Sequence, residues 1–253
     1  MVGAAGPLYL LPPSETKTAG GSGSFEAASG RFAHLGPQRA TVAVALAAAM
    51  DDSASIATIT GLRPGRAAVA AEANRSVLGA PTLPAGSRYT GVVWSHLEVS
   101  SLSARERRRA GGIVVVSALG GLFAFDDPVP DYKLAIGARL GAMGPLARFW
   151  RAAATDALAG VSAGRPVFDL LADEHRRAVD LAALPAGATV RVEFRAATGT
   201  RAAGHRAKAA KGCFVRHLLE AADPGVGAAE GFSWEGWRSE LHAPDLVVVR
   251  APG

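Results

Sequence analysis

The cationic side chains that could bind an anion are concentrated in one window, residues 194–219. This window holds six basic residues and no acidic residue: Arg195, Arg201, Arg206, Lys208, Lys211 and Arg216. Because the whole chain carries a formal charge of +5 and the window +6, the remaining residues sum to −1. Basicity confined to one segment indicates an anionic partner that faces a single element. The alternative interpretation is a solvated basic helix without a partner.

Two lysines in this window are expected to point toward the body of the protein. Residues 204–222 read as a helix, and at about 100° per residue Lys208 and Lys211 fall on its apolar face. That face is formed by Ala207, Phe214, Val215, Leu218 and Leu219, and the opposite side by Arg206, Arg216 and His217. Two ammonium groups lining a cleft would bind an anion with help from the helix N-terminus. A desolvated amine beside another cation also suits a nucleophile or base. Alternatively, both stems lie on the core with their charges in water.

A second polar group, Ser14, Glu15, Thr16 and Lys17, comes directly after the first predicted strand. Ligands of α/β sheets bind outside the carboxyl ends of the strands. A hydroxyl, a carboxylate and an ammonium at that edge could hold a phosphate or a nucleobase. The same residues are also typical of an ordinary turn or helix cap.

Acidic residues follow another predicted strand. Asp169 lies at its end, and Asp173, Glu174 and His175 come shortly after. Asp173 reads most simply as a helix N-cap and His175 as a surface residue. Carboxylates with one histidine could bind a divalent metal, but the spacing matches no metal motif, so we expect none.

The elements that must position these groups alternate between strand and helix. Predicted strands are residues 8–11, 113–116, 167–170, 189–195 and 246–249, and predicted helices are residues 41–50, 62–80, 104–110, 141–158 and 204–222. This alternation predicts an α/β fold, a single compact domain over residues 1–253 with a mixed central sheet flanked by helices. Residues 19–30 are rich in glycine and serine, which predicts a flexible loop.

Composition excludes several protein classes. The chain has 253 residues, of which 49% are hydrophobic and 19% charged, which is enough to bury a core. It contains no uncharged apolar run of about 18 residues, and its start lacks a basic leader segment, so we expect neither a membrane span nor a secretory signal. The single cysteine, Cys213, excludes a disulfide scaffold and favours a reducing cytoplasm. Phosphate-binding P-loop, dinucleotide-binding and GxSxG hydrolase motifs are absent.

Taken together, the ordered motifs resemble the YaaA family of bacterial peroxide-stress proteins. The matching segments are residues 10–15 (Leu-Leu-Pro-Pro-Ser-Glu) with Lys17, 89–92, 117–122, 131–134, 137–140, 149–150, 169–170, 173–175, 207–212 with Arg216, 231–232 and 235–236. Their order and approximate spacing agree from residue 8 to about residue 240, whereas residues 30–86 show little resemblance. The central segment departs from the family at Gly120, where an aromatic is usual, and at Lys133, where arginine is usual.

The resemblance implies a cytoplasmic protein with no required cofactor, linked to limiting free iron and oxidative damage. It also implies DNA binding through a positively charged cleft. On that hypothesis the contacts to double-stranded DNA, or to a small anion, come from Ser14, Lys17, Arg201, Arg206, Lys208, Lys211 and Arg216. A second hypothesis is an enzyme on a nucleobase, nucleotide or other small anionic substrate. There Lys208 or Lys17 is the reactive amine, with Glu15 or Asp169 as acid or base. A third is a stress-associated scaffold without a site.

Overall fold

The computed structural model describes residues 6–185 and 189–253. The strands within these ranges are β1 (Leu8–Leu11), β2 (Thr82–Pro84), β3 (Ile113–Ser117), β4 (Gly121–Ala124), β5 (Pro128–Pro130), β6 (Val167–Asp169), β7 (Thr189–Arg195), β8 (Ser233–Trp234), β9 (Trp237–Ala243) and β10 (Leu246–Arg250). The expectation about a leader segment rests in part on residues 1–5, which lie outside the described residues.

Helices connect most of these strands. They are α1 (Gly36–Ala49), α2 (Ser53–Thr60), α3 (Pro64–Arg75), α4 (Ala85–Arg88), α5 (Val92–Leu97), α6 (Ala104–Ala110), α7 (Leu146–Ser162), α8 (Asp173–Arg176), α9 (Gly204–Glu220) and α10 (Val226–Ala229), with 3-10 turns at Ala33–Leu35, Val99–Ser101, Gly141–Met143 and Leu181–Ala183. None of the helices in the described part of the chain is both long and apolar enough to cross a membrane.

An eight-stranded sheet forms the centre of the molecule, in the order β4-β3-β1-β6-β7-β10-β9-β8. The five inner strands, from β3 to β10, pair in parallel, and the pairs at both edges are antiparallel. A separate antiparallel pair joins β2 to β5. The predicted α/β fold with a mixed central sheet is therefore confirmed. Parallel pairing also brings the carboxyl ends of β1, β6 and β7 to the same edge.

Strands β1 and β3 are apolar along their length, as is usual for parallel strands that are covered on both faces, whereas β7 alternates between buried and more exposed residues. All four residues of β1 and all five of β3 are buried. In the register, Leu10 lies opposite Val114 on one side and Asp169 on the other. This register sets the position of the polar segment after β1 relative to the polar segment after β6.

Several element boundaries differ from those that the sequence predicts. Helix α1 begins at Gly36 and not at residue 41, and α7 begins at Leu146, because Pro145 caps it after a 3-10 turn. Between residues 30 and 86, where the sequence shows little resemblance to a known family, buried Arg39 holds α1 in place. Its guanidinium donates hydrogen bonds to the carbonyls of Ala27, Ser29, Gly120 and Leu122.

Residues 19–30 contain neither helix nor strand. The Ser22 amide donates to the Thr82 carbonyl at 3.0 Å, the Phe25 amide donates to the Ala80 carbonyl at 2.9 Å, and the Phe25 side chain is buried. The segment is thus tied to its neighbours by these hydrogen bonds and by those from Arg39 to Ala27 and Ser29, and its flexibility in solution stays a prediction.

Helices α5 and α9 pack in close contact, and this contact positions the basic helix. A Cβ atom on Gly212 would lie 2.2 Å from the carbonyl oxygen of Val93 and 2.9 Å from Cβ of His96. Only glycine permits the two backbones to approach this closely. The second interface of α9 is made by Phe214, whose ring meets that of Phe194 on β7 edge to face at 6.2 Å. Helix α9 therefore lies along the edge where β7 ends.

Candidate functional site

A pocket of about 990 Å³ opens at the carboxyl edge of the sheet. Its walls come from the segments after β1 and β6, from the start of α5, from β7 and the segment after it, and from the N-terminal half of α9. Its volume lies at the upper end of the range for small-molecule sites. Among the described residues, six cationic side chains line it, namely Arg176, Arg191, Arg195, Arg201, Lys208 and Lys211, against three carboxylates, Glu15, Glu174 and Glu193. The sheet edge that the sequence predicts as a ligand site is thus the edge with the pocket.

Lys208 and Lys211 both line this pocket, as the helical wheel predicts. Lys211 is partly buried: its Nζ atom donates to the carbonyl of Leu170 at the end of β6 and lies 5.5 Å from the centre of the Phe194 ring. Burial lowers the pKa of Lys211 to about 8. Lys208 is exposed at the pocket rim. No carboxylate oxygen among the described residues lies within 4.0 Å of either amine.

The N-terminus of α9 faces the same pocket. Residues Ala203, Gly204 and His205 line it, and no side chain caps this end of the helix. The first amide groups of a helix have no partner within the helix, and together with the helix dipole they favour a negative charge. Two unpaired ammonium groups beside an uncapped helix end are an arrangement suited to an anion.

The three arginines expected to contact an anion lie elsewhere or are already paired. Arg201 lines the pocket and forms an ion pair with Asp173. The other two predicted arginines do not line the pocket: Arg206 pairs with Glu235 at 3.2 Å, and Arg216 with Glu220 at 2.5 Å. Arg216 also reaches back to α5 and donates to the carbonyl of Glu98 at 3.2 Å and to the hydroxyl of Ser101. Most of the formal charge of the basic window is therefore balanced locally.

The polar segment after β1 reaches the pocket with three of its four residues, Ser14, Glu15 and Thr16. The Ser14 hydroxyl accepts a hydrogen bond from the Thr90 amide at 3.0 Å and donates to the Thr16 carbonyl. Glu15 accepts a 2.8 Å hydrogen bond from Lys133, which lowers the pKa of the Glu15 carboxyl. Ser14 thus closes a turn and also lines the pocket, and its role in binding an anion stays a prediction.

The backbone of Lys133 is hydrogen-bonded to a buried side-chain amide, that of Asn74. The Asn74 side chain donates to the Lys133 carbonyl and accepts from the Lys133 amide, both at 2.9 Å. Asn74 is fully buried on α3. Helix α3 lies far from the other pocket segments in sequence. Through Asn74 and Lys133 it nevertheless positions the carboxylate of Glu15 at the rim of the pocket.

Lys17 lies beside the pocket and does not line it. Its ammonium donates to the carbonyls of Ser14 and Tyr132, at 3.1 and 2.7 Å, and lies 4.2 Å from the centre of the Tyr132 ring. Burial lowers the pKa of Lys17 to about 8. The structure thus brings Ser14, Lys208 and Lys211 together and places Lys17 under the loop that carries Ser14. Its role as a reactive amine stays a prediction.

Asp169 is also held away from the pocket. Its carboxylate is 2% exposed, accepts a 2.6 Å hydrogen bond from Nε of Arg176 and accepts another from the Leu171 amide at 3.0 Å. Asp173 is the first residue of α8 and not its N-cap, which is Ala172. Hydrogen bonds from Arg201 and Arg176 lower the pKa of Asp173. Both carboxylates therefore orient arginines at the pocket wall.

His175 is not the surface residue that the sequence suggests. Its side chain is only 12% exposed, it lines the pocket, and its Nδ1 atom has no hydrogen-bond partner among the described residues. Burial, together with the charge of Lys211, lowers the pKa of His175 to about 4, so the ring is neutral at pH 7. Two further residues that sequence reasoning missed, Arg176 and Phe194, also line the pocket. Phe194 is the last buried position of the alternating strand β7, and this alternation is the one signal that could have shown that its side chain faces inward.

No group of three metal-ligating side chains is arranged for an ion within residues 6–185 and 189–253. The acidic residues after β6 serve as arginine partners instead. What the pocket offers chemically is a pair of amines, a neutral imidazole and an aromatic wall.

Comparison with known proteins gives matches over most of the chain. The family model described as peroxide stress protein YaaA matches residues 8–242. The chain is 33% identical to a UPF0246 protein of Streptomyces coelicolor over 228 residues, an alignment that covers 88% of this chain and 86% of that protein. It is 36% identical to a UPF0246 protein of Corynebacterium efficiens, covering 83% and 84% of the two chains, and 34% identical to one of Corynebacterium glutamicum, covering 97% and 96%. The chain therefore belongs to the peroxide stress protein YaaA family.

Proposed function

We propose that this protein binds a small anionic molecule in the pocket at the carboxyl edge of its sheet, in the cytoplasm and as part of a response to peroxide. One observation carries the proposal: Lys208 and Lys211 line a pocket of about 990 Å³ without a carboxylate partner among the described residues, although the neighbouring arginines are paired. Unpaired cations held together at an uncapped helix end have a net attraction for an anion.

The pocket walls favour a ligand with an apolar or planar part as well as a charge. Phe194, Val93 and Ala207 contribute to the wall beside the two lysines. Small-molecule sites typically combine an apolar lining with a few convergent polar groups. A nucleotide or another phosphorylated or carboxylated metabolite has this combination.

Duplex DNA is the second candidate, and the observation that favours it is the exposure of several cations in and near the pocket. The side chains of Arg191, Arg201 and Arg206 are 57%, 61% and 65% exposed. All three, however, pair with carboxylates, which reduces the number of phosphates that they can neutralise. If all five or six basic residues were free, the slope of log K against log salt would be roughly −5; with the arginines paired we expect a slope nearer −2.

The two candidates are separated by calorimetric titration of adenosine 5′-monophosphate, inorganic pyrophosphate and a short DNA duplex. Lys208→Ala is compared with Arg206→Ala, which removes the same charge from the same helix but outside the pocket. A pocket site predicts that Lys208→Ala weakens binding of the small anions roughly tenfold, since one charge-assisted contact contributes about 1.4 kcal/mol. Arg206→Ala should leave that binding unchanged. Equal losses in both variants, or measurable binding of the duplex alone, would refute the pocket proposal.

A further inference from the structure

The four lysines of this chain stand in four different environments. Lys133 forms an ion pair with Glu15 at 2.8 Å, and Lys17 is held by two carbonyl oxygens against the Tyr132 ring. Lys208 stands at the exposed rim. Lys211 is the amine that is both partly buried and part of the pocket wall, with the Leu170 carbonyl as its hydrogen-bond acceptor.

We propose that Lys211 is a reactive amine that forms a Schiff base with an aldehyde or ketone group of the anionic ligand. This inference rests on the proposed function, because the anion is what brings a carbonyl group next to Lys211. It assigns the reactive role to Lys211, whereas the sequence pointed to Lys208 or Lys17. In this arrangement Lys208 and the N-terminus of α9 hold the charged group, and Lys211 meets the carbonyl carbon.

The covalent step balances without a cofactor. The neutral amine of Lys211 attacks the carbonyl carbon, a C–N bond forms, and the C=O π electrons move to oxygen. One proton then passes from nitrogen to that oxygen, which gives a neutral carbinolamine. A second proton, from solvent, reaches the hydroxyl as the C–O bond breaks, so that water leaves and the nitrogen lone pair forms the C=N bond of an iminium ion. No oxidation or reduction takes place.

The surroundings of Lys211 favour the neutral amine that this step needs. Four charged groups act on its ammonium: Asp169 stabilises it, whereas Arg176, Arg201 and Lys208 repel it. His175, which also faces the pocket, is neutral at pH 7 and adds no charge. Burial lowers the pKa of Lys211 to about 8, and the three neighbouring cations act in the same direction. The single carboxylate that opposes them, that of Asp169, is already bound to Arg176. Roughly a tenth of the molecules then carry the free amine at pH 7, compared with less than one in a thousand for an ordinary lysine.

Pyridoxal 5′-phosphate is a suitable probe, since it joins an aldehyde to a phosphate and its Schiff bases are fixed by borohydride. The full-length protein is treated at pH 7.5 with a limiting amount of probe, reduced, digested and mapped by mass spectrometry. Because the chain has only four lysines, every adduct can be assigned. We expect the adduct on Lys211 to exceed that on the more exposed Lys208 at least tenfold, and the labelling rate to reach half its maximum near pH 8.

One variant and a second probe make the result decisive. Lys211→Met, which keeps an unbranched apolar stem of nearly the same length, should lose the adduct without gaining one elsewhere, and circular dichroism checks its fold. Pyridoxal, which lacks the phosphate, should label Lys211 more slowly but at the same residue. Labelling in proportion to exposure, with Lys208 ahead of Lys211, would overturn the inference. If adenosine 5′-monophosphate binds and no Lys211 adduct forms, the proposal of a reactive amine is wrong and the anion site stands. If pyridoxal labels Lys211 but no anion binds, the anion site is wrong and Lys211 is still a reactive amine.

Discussion

Replacing Lys211 with methionine is expected to change how the stability of the fold depends on pH. Burial lowers the pKa of Lys211 to about 8 in the folded protein, compared with 10.5 for an unperturbed lysine. Between these two values the unfolded chain binds the proton more tightly than the folded one does. The free energy of unfolding of the parent therefore rises with pH from about 8 to about 10.5 and falls as the pH drops through that window. Methionine cannot be protonated and removes this contribution.

The magnitude follows from the two pKa values. Integrating the linkage relation for one such site gives a change of about 2 kcal/mol between pH 7.5 and 9.5. Lys17 has a pKa that burial lowers to about 8 as well, so it adds a slope of the same sign to both proteins and cancels from their difference. The stability of Lys211→Met relative to the parent should accordingly decrease by about 2 kcal/mol across this range.

Urea denaturation at pH 7.5, 8.5 and 9.5, followed by circular dichroism, measures this difference. Lys208→Met is the matched control, because it removes an ammonium group from the exposed rim of the same helix. We expect that control to differ from the parent by no more than about 0.5 kcal/mol at pH 7.5, as is usual for an exposed position. A difference between Lys211→Met and the parent that stays constant across the pH range would show that the Lys211 ammonium is hydrated, and the reasoning about its burial would be wrong.

Three further predictions concern the neighbourhood of the pocket. Gly212→Ala should lower the free energy of unfolding by about 1–3 kcal/mol, measured by urea denaturation, because its Cβ would meet the Val93 carbonyl at 2.2 Å; an unchanged midpoint would contradict the close packing. Cys213 should react slowly with hydrogen peroxide, since burial raises the pKa of its thiol to about 11 and leaves roughly 100-fold less thiolate than in an unperturbed cysteine; rapid sulfenic acid formation seen by mass spectrometry would argue against this. Lys133→Met should raise the pKa of Glu15 toward its usual value by removing the hydrogen bond that lowers it, as measured by carbonyl-carbon NMR titration; no change would show that the ion pair does not form in solution.

The sequence predicts the inner sheet well and its edges poorly. Continuous apolar runs identify β1 and β3, because a strand that is buried on both faces is apolar at successive positions and does not alternate with polar residues. Strand β4 begins at Gly121, whose φ of 66° lets the chain reverse after a connection of only three residues, 118–120, and so short a connection leaves no visible loop in the sequence. Helix α1 begins five residues before the predicted start, at a Gly-Pro pair that reads as a break but is the first turn of the helix.

At the site, local pattern could predict which face a side chain occupies but not what it binds. Helical spacing places Lys208 and Lys211 toward the pocket because a helix fixes its own faces. Ion pairs between distant segments carry no such signal: Arg201 meets Asp173 from 28 residues away, and Arg206 meets Glu235 from 29. For that reason the basic window looks like an exposed cationic surface in the sequence, although its arginines are largely neutralised in the fold.

Locating a bound oxyanion by diffraction tests the central claim most directly. Crystals soaked in tungstate, a tetrahedral anion similar in shape to phosphate, reveal its position through anomalous scattering. We predict that the strongest peak lies inside the pocket, about 3 Å from the Nζ atoms of Lys208 and Lys211 and beside the N-terminus of α9. Peaks confined to exposed arginines outside the pocket, such as Arg66 and Arg108, with none between the two lysines, would contradict the account.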